Sequence, residues 1–276
     1  MKRSRVTRDR MSASAARSSG GTVGRAFALL ATATLLAAGP TGAGAQQGRP
    51  DPLAHGDGFL FHQPNATFSL RGGYSRANAS SELFTSQQKQ LTIGPRGFDR
   101  ASFGADLSFH ATRRIDLGVS FDGTARSRRS EYRDWLDQND KPIEQTTKLS
   151  TLGFSANLKY NLRDRGRAIS SLAWIPARYV PYVGIGGGVI NYEFTQTGDF
   201  IVFPSMQVFP DKLRSANWGA MAQVFSGFAY TLTTRWSLIS EARYTASSLE
   251  LNKDYSDFGR INLSGLAVNV GTSIRF

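Results

Sequence analysis

The sequence contains no cysteine, and that absence excludes several kinds of site together. Disulfide bonds, thiolate metal sites and a cysteine nucleophile are all ruled out. Apolar runs are short as well, because no stretch after residue 45 reaches the roughly 18 consecutive apolar residues of a membrane-spanning helix. Histidine is scarce, with three residues in the chain, and no pattern predicts a metal or any other cofactor. The sequence is instead rich in alternating apolar and polar residues.

Residues 1–45 have the features of a cleavable export signal. Seven basic residues precede the apolar run 26–38, and Ala43 and Ala45 form the small-x-small pattern that signal peptidase reads. The apolar run is about half the ~20 residues that a spanning helix needs, so we expect cleavage after Ala45 and no permanent anchor. Met1 and Met11 both stay open as the start of translation.

The leader also explains half of the positive charge. The whole chain has 33 basic and 21 acidic residues, a net charge of +12, and the leader holds seven of the basic residues and one of the acidic ones. The remaining chain is only modestly basic, so we predict no nucleic-acid binding. A modestly basic surface would suit anionic lipopolysaccharide instead.

Residues 66–276 alternate between apolar and polar positions in segments of about ten residues, the pattern of a membrane β-barrel. Because hydrocarbon cannot satisfy unpaired backbone groups, the sheet must close on itself. We predict an all-β, transmembrane, antiparallel up-and-down barrel, preceded by a short periplasmic segment over 46–65. Its eight strands are predicted at 66–76, 101–111, 114–126, 148–162, 179–194, 217–232, 235–247 and 262–276.

Short and long connections alternate along this pattern. Turns at 112–113 and 233–235 are tight, whereas four long gaps follow the first, third, fifth and seventh strands: 77–100, 127–147, 195–216 and 248–261. Short turns of an even-stranded barrel face the periplasm, so both barrel termini are predicted there. The exception is 163–178, which we expect to form a short helix or to lie against the membrane surface.

The apolar stretch 200–210 falls in a predicted outer loop. The simplest interpretation is a hairpin that extends strands five and six and turns at Pro204-Ser205. The alternative is an exposed patch that binds a partner or guides an apolar solute. Its role stays open at this point.

The last nine residues place Val268, Val270, Ile274 and Phe276 on one face of a strand. They closely resemble the C-terminal assembly signal of bacterial outer-membrane barrels. The residues that carry this resemblance are Asn269, Gly271, Ile274 and Phe276. It implies periplasmic chaperones and the barrel-insertion machinery as partners.

The wider pattern resembles the small eight-stranded outer-membrane barrel superfamily, with its OmpA-type, OmpX-type and OmpW-type domains. The resemblance is carried by the phrases at 179–188, 227–238 and 241–244, and it is a likeness of pattern. It implies a protein of the outer membrane of a Gram-negative-type bacterium, surrounded by outer-membrane lipid and lipopolysaccharide, and we expect a monomer.

Charged residues of both signs fall on the predicted inner face. Eight strands leave a lumen that side chains can fill, so we predict a paired ionic network and no wide pore. Glu241 and Arg243 have a second interpretation as a gate or proton path, and the structural one is favoured. The predicted network comprises Arg71, Asp106, Asp116, Asp122, Lys159, Glu241, Arg243 and Arg275. The predicted inner aromatic girdle comprises Phe109, Tyr160, Tyr230, Trp236 and Phe276.

Two patterns raise the question of catalysis or nucleotide binding. Gly184 to Gly188 has a G-x-G spacing, but no helix pattern follows, so a curved strand is the better interpretation. Ser108 and His110 form the kind of pair that barrel enzymes use on lipid A, yet both face the lumen near the periplasmic end. We therefore predict a non-catalytic barrel with a structural or interaction role through its outer loops. The alternatives are a narrow channel or binding barrel for small, possibly hydrophobic, solutes and, after that, a lipid-modifying enzyme.

A soluble lipocalin-like barrel is the main rival fold. It would carry its apolar residues inside, and sequence alone does not say which face is which.

Overall fold

The computed structural model describes residues 58–136, 140–170, 173–202 and 207–276. The predicted leader, with Ala43, Ala45 and Met11, lies outside these residues, as do positions 46–57. Cleavage of the leader therefore stays a prediction.

The described residues form twelve strands, and eight of them close into a barrel. In chain order the strands are β1 (Ala66–Ala77), β2 (Arg100–His110), β3 (Ile115–Leu136), β4 (Pro142–Asn161), β5 (Gly166–Ser170), β6 (Ala173–Pro176), β7 (Tyr179–Val202), β8 (Gln207–Thr231), β9 (Trp236–Ala246), β10 (Ser248–Glu250), β11 (Arg260–Asn262) and β12 (Gly265–Arg275).

Each barrel strand pairs antiparallel with its chain neighbour in the ring β1-β2-β3-β4-β7-β8-β9-β12. The ring closes where Thr67 of β1 lies opposite both Ser108 of β2 and Arg275 of β12. The predicted eight-stranded antiparallel barrel is confirmed.

Alternate residues of each barrel strand face opposite environments. Along β3, Leu117 and Val119 are more than half exposed, whereas Asp116 and Ser120, which flank this segment, are buried. The same alternation is found on the other barrel strands. Their exposed apolar residues include Phe68, Leu158, Ile185, Val224, Leu238 and Val270. A lipocalin-like barrel would show the opposite arrangement, so that rival is excluded.

Four strands are much longer than a membrane requires. β3, β4, β7 and β8 have 22, 20, 24 and 25 residues, about twice the 9–11 of a membrane-spanning strand. The predicted loops 127–147 and 195–216 are therefore mostly strand. The apolar alternation fades there because the extensions lie beyond the apolar belt, while backbone pairing continues.

The apolar stretch 200–210 belongs to one of these extensions. Phe200 of β7 lies opposite Phe209 of β8, with ring centroids 6.3 Å apart. This arrangement is the predicted hairpin extension. The turn proposed at Pro204-Ser205 lies outside the described residues.

The prediction of a short helix at 163–178 was wrong, because this connection contains the hairpin β5–β6. The alternative, a segment that lies against the membrane surface, stays a prediction. Trp174 is 5% exposed, and its indole lies where a side chain on Gly166 would have to be. Leu60 pairs with Trp174 as an extra bridge. The hairpin forms because it buries this indole at the end of the barrel where the short turns lie.

A compact cap fills the opposite end. It combines helix α1 (Glu82–Gln90) and the 3-10 turn Pro95–Phe98 from the β1–β2 connection with β10, β11 and the 3-10 turn Lys253–Phe258 from the β9–β12 connection. Among the described residues, no helix is long and apolar enough to span a membrane.

Apolar side chains of the cap pack onto inward-facing residues of the long strands. Phe84 and Ile261 of the cap are at most 1% exposed, as are Tyr192 and Phe194 of β7. The Tyr255 hydroxyl donates to Gln196 Oε1 at 2.6 Å, and burial raises the pKa of this phenol. The cap cluster is Ala79, Leu83, Phe84, Leu91, Ile93, Phe98, Leu149, Ile190, Tyr192, Phe194, Met221, Leu249, Leu251, Tyr255, Ile261 and Leu263.

We predict that Phe84→Ala lowers the free energy of unfolding by about 3–5 kcal/mol, because it leaves a cavity in the cap. The measurement is urea unfolding in detergent micelles, followed by tryptophan fluorescence. Phe209→Ala is the matched control, since Phe209 is 38% exposed and should cost far less. Equal effects of the two substitutions would mean that the cap is not packed as described.

Candidate functional site

The middle of the lumen holds two guanidinium groups among three carboxylates. Arg71 on β1 contacts Asp106 of β2 at 2.8 Å and Asp122 of β3 at 2.7 Å. Arg243 on β9 contacts Asp122 at 3.2 Å and Glu241, also on β9, at 2.9 Å. We call these five residues the central network.

The central network crosses the whole barrel. In the ring, β9 and β3 are four strands apart and therefore lie opposite each other, and the Arg243–Asp122 contact joins them. Both arginine side chains are at most 4% exposed. Side chains from opposite walls therefore meet across the lumen at this level and block it.

Neutral groups complete the hydrogen bonding of the network. Tyr182 donates to Glu241 Oε2 at 3.1 Å, and Ser120 donates to Asp106. Gln223 accepts from Arg243 at 3.2 Å. The Arg243 guanidinium also lies 4.5 Å from the centroid of the Phe225 ring, a cation–π contact. A buried charge is tolerated only when it is paired and its hydrogen-bonding groups have partners, as they do here.

Two glycines make room for these side chains. A β-carbon on Gly104 would come within 2.6 Å of the Arg71 guanidinium, and one on Gly184 within 2.3 Å of the Phe225 ring. The run Gly184–Gly188 lies inside β7, and Gly184 leaves the space that the Phe225 ring occupies in the lumen. The phosphate-loop interpretation is excluded because no helix follows it.

A second charged group closes the floor of the lumen, at the end where the short turns lie. Asp116 pairs with Lys159 at 3.1 Å and with Arg165, which also donates to the Thr112 carbonyl. Arg165 comes from the connection before β5 and was not predicted from the sequence. Among the described residues Arg275 makes no ion pair, and it donates to the hydroxyls of Thr231 and Ser237.

The eight predicted network residues thus divide into three groups. Arg71, Asp106, Asp122, Glu241 and Arg243 meet in the central network. Asp116 and Lys159 meet in the floor, and Arg275 is held by hydroxyl groups.

Arg100 was also missed, because the predicted second strand began at residue 101. Its side chain is buried at the cap end of the lumen, and its Nε and Nη1 atoms have no hydrogen-bond partner among the described residues.

The central network separates two small cavities. The one nearer the floor, of about 70 Å³, is lined by His110, Asp116 and Arg243. The one nearer the cap, of about 50 Å³, is lined by Arg71, Arg100 and Asn269. Each has room for a few water molecules, whereas pockets for drug-sized ligands run to about 300–1,000 Å³.

His110 does not contact Ser108 as a catalytic pair would. Its Nδ1 lies 2.7 Å from the Pro64 carbonyl, to which it can donate, and its Nε2 lies 3.0 Å from the Thr67 hydroxyl. Both ring nitrogens are therefore occupied. In the described part of the chain, no group of three or more His, Asp or Glu residues is placed to hold a metal ion.

The predicted assembly-signal residues all lie on or next to β12. Asn269 is 1% exposed and accepts a hydrogen bond from Ser102 at 2.7 Å, and a β-carbon on Gly271 would collide with the Leu70 carbonyl. Ile274 lies on the outward face, and Phe276 is 61% exposed. In the closed barrel Asn269 is therefore buried, and Gly271 packs against the backbone of β1.

The predicted aromatic girdle is well exposed. Phe109, Tyr160, Trp236 and Phe276 each expose about 40% or more of their surface at the floor end. The Tyr230 hydroxyl accepts a hydrogen bond from Arg178 at 3.0 Å. Nearby, a hydrogen bond from Arg114 lowers the pKa of Asp164 on the surface of this end.

Comparison with solved structures finds similar barrels. Neisserial surface protein A is 13% identical, with a TM-score of 0.43, over 76% of this chain and 97% of that one. The Pseudomonas aeruginosa outer membrane protein OprG is 14% identical, with a TM-score of 0.40, over 79% and 99%. The N-terminal barrel domain of Pseudomonas aeruginosa OprF is 14% identical, with a TM-score of 0.35, over 77% and 98%.

No family model and no curated protein matches the chain. Because every quoted TM-score is below 0.5, the assignment of the fold rests on the strand pairing of the chain itself.

We predict that Arg71→Met lowers the free energy of unfolding by about 3–5 kcal/mol, because it leaves buried carboxylates without their cation. Arg114→Met is the matched control. Arg114 pairs with Asp164 at 2.7 Å, but both side chains are more than 40% exposed, so the loss should be about 0–1 kcal/mol. Urea unfolding in micelles measures both. A similar loss for both variants would show that the lumen is hydrated enough to screen its charges.

Proposed function

We propose that this protein is a non-catalytic, integral outer-membrane barrel that acts through its extracellular cap and strand extensions. The observation that carries this proposal is the placement of side chains. Around the ring, large apolar residues point outward into the surroundings, and the charged residues of the membrane-spanning part pair inside. Such an exterior is stable in hydrocarbon and unfavourable in water.

The two ends of the barrel support an orientation with the short turns in the periplasm. The connections at that end have 4 residues between β2 and β3 and 4 between β8 and β9. The other end carries the cap and the long extensions of β3, β4, β7 and β8, as in barrels whose long loops face outward.

A solute channel is the less favoured alternative. The lumen is blocked by the cap, the central network and the Asp116–Arg165 floor, which are three independent closures. A channel would require all three closures to rearrange. Interaction through the outer surface requires no such change.

A lipid-modifying enzyme is less favoured still. His110 is engaged by Thr67 and the Pro64 carbonyl, in a cavity of about 70 Å³ that is too small for a lipid. Neither described histidine lies near the outer rim, since His110 is at the floor end of β2 and His62 is in the segment before β1.

Assembly follows from the same geometry. Asn269 is buried, and Gly271 packs against the backbone of β1, once β12 pairs with β1 and β9. We therefore propose that periplasmic chaperones and the barrel-insertion machinery read the Asn269, Gly271, Ile274 and Phe276 signal before the ring closes. We expect the inserted protein to be a monomer among outer-membrane lipids.

We predict that Val119→Arg impairs insertion, at a cost of about 2–4 kcal/mol for a cation on the lipid face near the bilayer midplane. Val119 is 56% exposed on β3. The matched control is Ser127→Arg, on the same face of the same strand but in the extension beyond the membrane. The measurement is the fraction of protein that folds into phospholipid vesicles and migrates as a compact band on an unboiled detergent gel.

Val119→Arg should reduce that fraction, and Ser127→Arg should leave it near wild type. If both variants insert equally well, the apolar belt is not the membrane surface. The wild-type protein should also give no stepwise conductance in a planar bilayer, and regular steps would favour the channel instead.

A further inference from the structure

The charges of the connections are distributed unequally between the two ends of the barrel. At the floor end, the connections 111–114, 162–178 and 232–235 contain seven arginines and one aspartate. At the cap end, the connections 78–99, 137–141, 203–206 and 247–264 contain five basic and seven acidic residues. The excess of positive charge therefore belongs to the floor end, and it is built only from arginine.

Six of these arginines are exposed, whereas Arg165 is buried against Asp116. We call the exposed set the arginine rim: Arg113, Arg114, Arg163, Arg167, Arg178 and Arg235. The sole acidic residue of these connections, Asp164, is already paired with Arg114. The rim is thus a ring of cations with little internal compensation.

The rim adjoins the exposed aromatic girdle. Arg114, Arg178 and Arg235 each directly precede a barrel strand, and Arg235 is followed by the exposed Trp236. The Arg178 guanidinium lies 5.6 Å from the centroid of the Tyr230 ring and donates to its hydroxyl. Exposed aromatics mark the level of lipid headgroups, so these guanidinium groups lie where lipid phosphates would be.

We propose that the arginine rim binds the phosphate groups of anionic phospholipids in the leaflet at the floor end. Guanidinium groups bind phosphate oxygens through two parallel hydrogen bonds, which ammonium groups cannot do. The attraction between a group of cations and anionic lipids also increases with the number of cations. This inference rests on the proposed membrane function, and it names phospholipid because the short turns face the periplasmic leaflet.

The four tryptophans allow the two ends to be compared. Trp236 lies at the rim and is 48% exposed, and Trp218 lies toward the cap end and is 55% exposed. One protein retains only Trp236, through Trp135→Phe, Trp174→Phe and Trp218→Phe. The other retains only Trp218, through Trp135→Phe, Trp174→Phe and Trp236→Phe. Both are reconstituted in phosphatidylcholine vesicles that contain brominated phosphatidylglycerol or, in parallel, brominated phosphatidylcholine.

Quenching of fluorescence by each brominated lipid gives its relative association constant at that tryptophan. Phosphatidylglycerol should be favoured over phosphatidylcholine at Trp236 by about fivefold, the enrichment expected from one cation at an anionic surface. At Trp218 the two lipids should be nearly equal. The triple substitution Arg113→Gln, Arg178→Gln and Arg235→Gln should abolish the preference at Trp236. The matched control, Arg126→Gln, Arg128→Gln and Arg129→Gln on β3, should leave it unchanged.

Equal quenching by both lipids at Trp236, or a preference that survives the triple substitution, overturns the inference. Unlabelled lipopolysaccharide that displaces brominated phosphatidylglycerol better than unlabelled phosphatidylglycerol does would overturn the assignment to phospholipid. Each protein is first tested for compact migration on an unboiled gel. Failure of wild-type protein at that step refutes the proposed function, whereas compact migration without a lipid preference refutes only the arginine rim.

Discussion

Two buried guanidinium groups and their carboxylates determine how this barrel is built. Arg71 and Arg243 lie in a space with almost no access to solvent, so each must be paired on several sides. The partners come from β1, β2, β3 and β9, and the pairing therefore fixes the distance between opposite walls. A few apolar side chains, among them Val180, Phe225 and Ile239, share the lumen with the network, and most of the large apolar side chains of the belt point outward. The alternation of apolar and polar residues therefore produces both an exterior that suits a membrane and an interior that blocks a pore.

Because the lumen is closed, the surfaces available for function lie at the two ends of the barrel. At one end the cap and four long strands form a body with its own apolar core, and this body projects from the apolar belt. At the other end the hairpin β5–β6 covers the floor, and arginines surround it. The proposed function assigns contacts with partners outside the cell to the cap, and the further inference assigns lipid headgroups to the rim.

The alternation of apolar and polar residues was enough to predict eight strands, their order and which face meets lipid for most of them. The alternation did not predict the parts of the strands in which one face is no longer apolar. Residues 127–136 and 195–202 continue as strand because backbone pairing with a neighbour does not require an apolar face. The faces of β7 could not be assigned from the sequence because glycines at 184, 186 and 188 give no signal. Gly184 and Gly186 leave room for Phe225 and Gln223 of β8, and Gly188 leaves room for the backbone of β4. Arg165 and Arg100 were missed because their positions depend on tertiary contacts of connecting segments.

The central claim is that odd and even residues of each spanning strand face different media. The native chain has no cysteine, so single cysteines can carry spin labels without background. The most direct test places one label at a time at positions 266 to 270 of β12 in bilayers and measures collision with oxygen and with a water-soluble nickel chelate. Leu266→Cys, Val268→Cys and Val270→Cys should collide strongly with oxygen and weakly with nickel, and Ala267→Cys and Asn269→Cys should show the lowest oxygen accessibility. No alternation, or alternation in the opposite phase, would contradict the account.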